Sequence, residues 1–318
     1  MSALGTLGRA VEAYLDERRR LGFQMVGTEL RRFACYADAQ GHEGPLTAEL
    51  QIAWARLHVR RTTPGTATRR LQTLRPFVVH YRQHEPGSAV LDPRLLGPVR
   101  GRPTPHIYTP VELAALVEAA AALEGGDGLR GATYATLFGL IAATGLRLSE
   151  AIGLADADVD LAGARLTVRL TKFRKTRRLP LQASTVGALA AWRERRDRRW
   201  PQDPEGPFFV GHRGTALSRR NVEWVFAGLR RTLGWQARGS HPAPRIHDLR
   251  HTFAVRRVQL WHEEGTPIGQ AMFWLCTYLG HAKISDTYWY LTGVPELMAA
   301  AGRRFEHSGQ TPVAAGRP

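Results

Sequence analysis

The sequence predicts a mainly α-helical protein of two domains with one small antiparallel β-sheet. Apolar residues recur at helical spacing over most of the chain. One short region, 163–170 followed by 177–181, alternates apolar and polar residues as paired strands do. A Pro- and Gly-rich break over 85–110 separates two helical stretches, and 318 residues suffice for two cores. The expected boundaries are a helical domain at 1–100, a linker at 101–108, a second domain at 109–306 and a disordered tail at 307–318.

In chain order, 6–21 reads as a helix with Leu7, Val11, Tyr14 and Leu21 on one stripe. A second covers 28–40 and a third 46–59. Thr63-Pro64 opens a fourth, because proline suits a first helical turn. Its apolar face holds Leu71, Leu74, Phe77 and Val78, and Pro76 is expected to kink or split it. Arg69, Arg70, Arg75 and Arg82 lie on its other faces, preceded by Arg60-Arg61. Such a run can be merely solvated, but basic residues recurring on adjacent helices with few acids between them favour contact with DNA.

Thr109-Pro110 restarts regular structure. Helices are expected over 112–123 and 134–143, the second ending at Gly145 in a left-handed cap. A helix over 146–154 places Arg147 in its first turn, where a cation is tolerated if both converge on an anion. The strand pair follows, with T-K-F-R-K-T as its basic tip. Next come a helix over 183–200, an extended piece at 208–210, and a helix over 218–233 capped by Ser218. Arg219 and Arg220 near its start are candidates for phosphate contact. Asp248 can cap a helix running to about Trp261. The segment 268–279 reads as a buried helix, Gly280-His281 as a turn, and Ser285 as the cap of a short helix with Tyr288 and Tyr290. An amphipathic helix over 295–305 ends the ordered chain.

Composition narrows the function. The formal net charge is +16 with a pI of about 10.9, which favours a polyanionic partner, most simply nucleic acid. No apolar run spans a bilayer and the amphipathic N-terminus lacks a secretory core, so the chain reads as cytoplasmic with no membrane partner. Cys35 and Cys276 alone make neither a disulfide framework nor a cysteine zinc module, and both are expected to be packing groups. Only Lys172, Lys175 and Lys283 among the 44 basic residues are lysine. Arginine stays protonated near neutral pH, whereas a lysine with a shifted pKa can transfer a proton.

These residues suit metal-free phosphodiester cleavage. That chemistry needs a nucleophile, proton carriers, a proton for the leaving oxygen and cations around a phosphorane-like transition state. Arg147 and Arg250 supply planar permanent cations. His247 and His281 can donate to the phosphate or move protons near pH 7. Lys172 can protonate a departing 5′-oxygen if Arg174 and Lys175 lower its pKa. Tyr290 or Tyr288 can attack phosphorus, but two residues apart on a helix their phenols cannot both face one phosphate. His247 and His251 form an i, i+4 pair, yet no convincing third ligand is in view, so no metal or other cofactor is expected.

At A-T-G-L-R-L-S-E, T-K-F-R-K-T-R-R-L-P-L, I-H-D-L-R-H-T-F-A and L-G-H-A-K-I-S-D-T-Y-W-Y the chain resembles the tyrosine recombinase, or phage integrase, family, over 109 to about 291. The resemblance implies Arg147, Lys172, His247, Arg250, His281 and Tyr290 as catalytic residues, Tyr290 over Tyr288. It places Glu150 and Asp248 at supporting positions that brace the arginines. Arg60, Arg61, Arg69, Arg70, Arg174, Lys175, Arg219 and Arg220 remain candidates for DNA contact. The implied fold is an N-terminal helical core-binding (SAM-like) domain and an α+β catalytic domain forming a C-shaped clamp, with no arm-binding domain ahead of it. The implied activity is site-specific strand exchange on double-stranded DNA through a 3′-phosphotyrosine, without metal or ATP. The family works as a homo-oligomer, a tetramer in the synaptic complex; a monomer in free solution and accessory proteins stay open. Its C-terminal helix often docks on a neighbouring subunit.

Thr171 and Phe173 stand where glycines are common, the segment before Leu279 is longer than usual, and the W-Y-L-T-G-V-P-E-L ending resembles mobile-element members. The alternatives are a catalytically silent DNA-binding regulator on the same fold and a metal-dependent nuclease using His247 and His251.

Overall fold

The computed structural model describes residues 5–23, 26–57, 65–98, 103–124, 128–169 and 176–292. The chain divides into two compact units, Met1–Arg102 and Pro103–Pro318. No described helix is long and apolar enough to cross a membrane.

The first unit packs α1 (Thr6–Arg20), α2 (Thr28–Ala39), α3 (Ala48–Arg56) and α4 (Gly65–Tyr81). Their inward stripes meet in one core containing Leu15, Phe33, Trp54, Leu74 and Phe77. Each such side chain contributes about 1.5–3 kcal/mol on leaving water. The start expected at Thr63-Pro64 lies outside the described residues. Pro76 was expected to kink or split α4; it does not split it, and the helix runs through it as one element. Leu74, Phe77 and Val78 are buried on either side, and their packing offsets the missing backbone donor.

One arginine expectation changes here. Arg70 does not project freely toward solvent: its Nη1 donates to the carbonyls of Leu57 at 2.7 Å and Ala55 at 3.3 Å. It caps the carbonyl end of α3, where a cation is favoured. Arg69 and Arg75 remain exposed, and Arg60 and Arg61 lie outside the described residues. Cys35, expected to pack, sits on the exposed face of α2.

The expected linker is built into the second unit from residue 103 onward. His106 and Tyr108 are buried. The Tyr108 amide donates to Thr252 Oγ1 at 2.9 Å and its hydroxyl to the Arg245 carbonyl at 3.0 Å. An aromatic pair and these bonds hold an extended strap that Pro and Gly content alone reads as a spacer.

The second unit begins with α5 (Pro110–Ala121), opened by a full Thr109/Glu112 capping box, and α6 (Leu129–Thr144). A short α7 (Leu148–Ile152) leads to a three-stranded antiparallel sheet, β1 (Val159–Asp160), β2 (Arg165–Val168) and β3 (Arg177–Pro180), in the order β1-β2-β3. The register pairs Val168 with Arg177, so β2 and β3 form the expected hairpin. Its tip, with Lys172, Arg174 and Lys175, lies outside the described residues. Two-residue β1 was not expected, being too short for periodicity to detect.

Then come α8 (Ala183–Asp197), α9 (Arg219–Thr232), α10 (Ile246–Glu263), α11 (Ile268–Leu279) and α12 (Ser285–Thr292). Ser218 caps α9 by accepting from the Asn221 amide at 3.2 Å. The large core joins α5, α6, α8, α9 and the sheet. A smaller one joins α10, α11 and α12 and includes Tyr290. The 295–305 helix and the 307–318 tail lie outside the described residues.

Candidate active site

The site forms where α6 and α11 end and α7 and α10 begin. Gly145 ends α6 at φ 63°, and Gly280 ends α11 at φ 67°. A Cβ on Gly145 would lie 2.5 Å from Phe253, so both conformation and space demand glycine. Helix ends leave carbonyls without internal partners and carry partial negative charge. Arg250, one turn into α10, answers both ends at once. Its Nη1 donates to the Gly145 carbonyl at 2.6 Å and its Nη2 to the Leu279 carbonyl at 2.8 Å.

Arg250 is only 1% exposed. Burial pulls its pKa down to about 10, with Arg147 adding in the same direction, while Tyr290 and Glu150 oppose the shift. The guanidinium stays charged at neutral pH. Its described hydrogen-bond partners are carbonyls and an imidazole, so its charge is left for an incoming anion.

His281 follows the Gly280 turn. Its amide donates to the Cys276 carbonyl at 3.0 Å, which fixes the backbone. Its Nε2 lies 3.0 Å from Arg250 Nη2, and its Nδ1 lies 2.8 Å from Thr287 Oγ1. A guanidinium can only donate, so Nε2 accepts and Nδ1–H donates to the threonine hydroxyl. That assigns a neutral tautomer and ties α12 to the turn.

Two residues past Thr287's neighbour Tyr288, Tyr290 packs close by. Its ring lies near-parallel to His281 at 6.0 Å and tilted against His251 at 5.4 Å. Trp289 contacts both His251 and Tyr290, at 5.1 and 5.5 Å. Tyr290 is 3% exposed, whereas Tyr288 faces solvent. The structure thus brings Tyr290, not Tyr288, to the histidines and Arg250.

Arg147 reaches the site from the α6–α7 turn. It is the residue preceding α7 rather than part of its first turn. Its amide donates to Glu150 Oε2 at 3.0 Å and its Nη1 to Oε1 at 2.7 Å, which offsets the cost of a cation at a helix start. The Glu150 carboxyl is buried, which alone would raise its pKa. Arg177 and Arg147 instead hold it down at about 2. Arg147 remains 31% exposed, on a groove of about 550 Å³ that His247, Arg219, Arg230 and Arg245 also line.

His247 projects into that groove. Loss of water at its base, then the charges of Arg250, Arg245 and Arg147, lower its pKa below the usual histidine value. Its open edge softens the effect, because solvent still reaches the ring. His251 behind it is buried, and its ring stands edge-on to His247 at 4.6 Å. Among the described residues no group of three or more His, Cys, Asp or Glu is arranged to hold a metal ion.

Asp248 departs from expectation. It is fully buried, and its carboxylate takes the Arg245 amide at 2.8 Å and Arg245 Nη2 at 2.7 Å. It braces Arg245 and the start of α10 rather than either expected arginine. Asp248 lies three positions after Arg245, so its carboxylate folds back to the helix start.

Arg219 points its Nε to Glu223 Oε1 at 2.7 Å on the exposed face of α9, and Arg220 is exposed beside it. Sequence reading missed Arg177, which grips Glu150. Alternation on β3 held the clue: Arg177 shares its strand face with buried Leu179 and so turns inward.

The Phage integrase family model matches residues 108–294. The chain is 38% identical to the integrase/recombinase y4rE of Sinorhizobium fredii, over 94% of this chain and 95% of that protein. It is 29% identical to tyrosine recombinase XerC of Pelobacter propionicus, over 89% of each. The fold is like that of the Tn1549 transposon integrase bound to transposon right-end DNA, with a TM-score of 0.66, 16% identity and coverage of 94% of this chain and 98% of that one. The chain therefore belongs to the phage integrase family and is a tyrosine-type site-specific recombinase.

Proposed function

We propose that the protein cuts and rejoins double-stranded DNA at specific sites through a 3′-phosphotyrosine on Tyr290. The observation that carries this reading is the meeting of Tyr290, His281 and Arg250 in one buried cluster beside Arg147's groove. Arg250 and Arg147 bind the nonbridging oxygens of the scissile phosphate. A neutral histidine takes the phenolic proton as the Tyr290 oxygen bonds to phosphorus. The bond from phosphorus to the 5′-oxygen breaks, and Lys172 returns a proton to that oxygen. The energy of the phosphodiester is kept in the tyrosyl ester, so a second 5′-hydroxyl reseals the strand without ATP.

Docking of the phosphate must uncover the Tyr290 hydroxyl, because the residue is almost fully enclosed without DNA. His247 donates to the same phosphate or moves protons there, and the open arginines of the groove carry the adjoining backbone. Arg69 and Arg75 on α4 add contacts from the first unit, which serves as a core-binding domain. Strand exchange proceeds in a tetramer holding two duplexes. The names of the relatives support a role in integration, excision or transposition of a mobile element.

The test uses a nicked suicide duplex carrying the sequence that the protein selects from a randomised pool, incubated in EDTA. The wild type should form a covalent adduct, Tyr290→Phe none, and Tyr288→Phe an adduct close to wild type. Tight binding with no adduct would support a silent regulator. Cleavage abolished by EDTA would support a metal nuclease.

A further inference from the structure

We infer that Arg177 is a positioning residue that sets the spacing between the two phosphate-binding arginines, an inference that rests on the reading above. Arg177 opens β3, just past the hairpin tip, and its side chain is 11% exposed. Its Nη1 and Nη2 donate to Glu150 Oε1 and Oε2 at 3.2 and 2.8 Å, and its Nε donates to the Tyr278 carbonyl at 2.9 Å. One planar fork thus joins two halves of the site that are far apart in sequence.

On one side, Glu150 holds the amide and guanidinium of Arg147. On the other, Tyr278 lies beside Leu279, whose carbonyl anchors Arg250. The same helix end leads through Gly280 into His281. Arg177 and Arg250 therefore bind adjacent carbonyls of the α11 terminus, where the helix dipole favours cations.

Gly280 fits this arrangement. A Cβ there would lie 3.0 Å from Arg177 Nη1, on a backbone at φ +67° that side chains rarely adopt. The glycine of L-G-H thus serves both the turn and the approach of Arg177. Charge accounting agrees. Glu150 sits between two guanidiniums and neutralises one, so Arg177 lets the carboxylate grip Arg147 without cancelling the positive field at the phosphate. Lysine cannot replace it: a single ammonium cannot address both carboxylate oxygens and the Tyr278 carbonyl in one plane.

The test measures single-turnover adduct formation at saturating concentrations of the selected suicide duplex. Arg177→Ala should slow the step by about 10²-fold, as expected for misplaced catalytic groups, with DNA affinity held. Arg177→Lys should fall between it and the wild type. Glu150→Gln should lose activity as well, and the double variant should lose less than the product of the two single effects, since the residues act as one unit. A duplex with a neutral methylphosphonate at the scissile position should shrink the Arg177→Ala defect, because a neutral phosphate depends less on paired cations. If Arg177→Ala proves insoluble, the lysine and glutamine variants carry the same comparison.

Cleavage at the wild-type rate by Arg177→Ala or Arg177→Lys would overturn the inference alone, provided the wild type forms its adduct. A defect equally large on methylphosphonate would also overturn it, pointing to a purely structural role. A wild type that forms no Tyr290 adduct would remove the proposed function and this inference with it.

Discussion

The two arginines proposed to bind the phosphate are held in opposite ways. Arg250 is enclosed, and its described partners are two helix-end carbonyls and an imidazole. Arg147 lies half-open on a groove and is held by a carboxylate that a further arginine shares. A guanidinium buried against carbonyls serves the fold as well as the ligand, because it satisfies the carbonyl ends of two helices. A guanidinium on an open edge, steadied by a shared carboxylate, serves the ligand more selectively. The site combines one enclosed cation with one open to solvent.

Breaking each arm tests that contrast. Arg250→Ala should give the largest effect, abolishing adduct formation and lowering stability in urea titration by about 3 kcal/mol or more, since each buried carbonyl left unpaired costs about 1–3 kcal/mol. Arg147→Ala should slow cleavage by about 10²–10³-fold, as loss of one transition-state donor does. Its stability should change by no more than about 1 kcal/mol, because the side chain is partly solvated. Equal stability losses for both variants would erase the distinction.

Acid should separate the two sides by pH. Burial, then the charges of His247, Arg245, Arg250 and His241, push His251 down to about 2. The unfolded chain takes up this proton below about 6.5 and the folded chain does not. Stability on the histidine side therefore falls as pH drops below 6.5, by at most about 1.4 kcal/mol per pH unit for one such group. On the carboxylate side, Glu150 stays ionised in the fold to about 2 against an ordinary value of 4.5. Its stabilising contribution, present above 4.5, is lost only below that pH. Thermal melts from pH 7 to pH 3 should shift downward in the wild type, less so below 6.5 in His251→Phe, with Glu150→Gln flattening the curve only below 4.5.

The smallest expected effect lies on the groove rim. Arg219→Ala should weaken duplex binding modestly and reduce the salt dependence of affinity by about one counterion. Fluorescence anisotropy over a salt series would measure it.

Much of this arrangement was legible in the residues. Serine before a basic amphipathic run marked the start of α9, and apolar continuity marked α11. The family resemblance implied that Arg147, His247, Arg250, His281 and Tyr290 share one region. What was not legible depended on three-dimensional partners. Asp248 could not be assigned to Arg245 from spacing alone, because Arg250 is also close in sequence. Arg70 looked like other exposed arginines until α3 placed its carbonyls within reach. The 101–108 stretch read as a spacer, since burial of His106 and Tyr108 is a property of the second unit's surface rather than of local composition. Pro76 kept its helix because neighbouring apolar contacts outweigh one lost bond.

One phenol, packed against His251 and His281, is proposed to become the covalent link to DNA. Peptide mapping by mass spectrometry of the trapped, nuclease-trimmed adduct addresses it directly. A nucleotide linked through its 3′-phosphate is expected on Tyr290 in the peptide spanning α12. The same mass increment on Tyr288, or on any residue outside that helix, would contradict it.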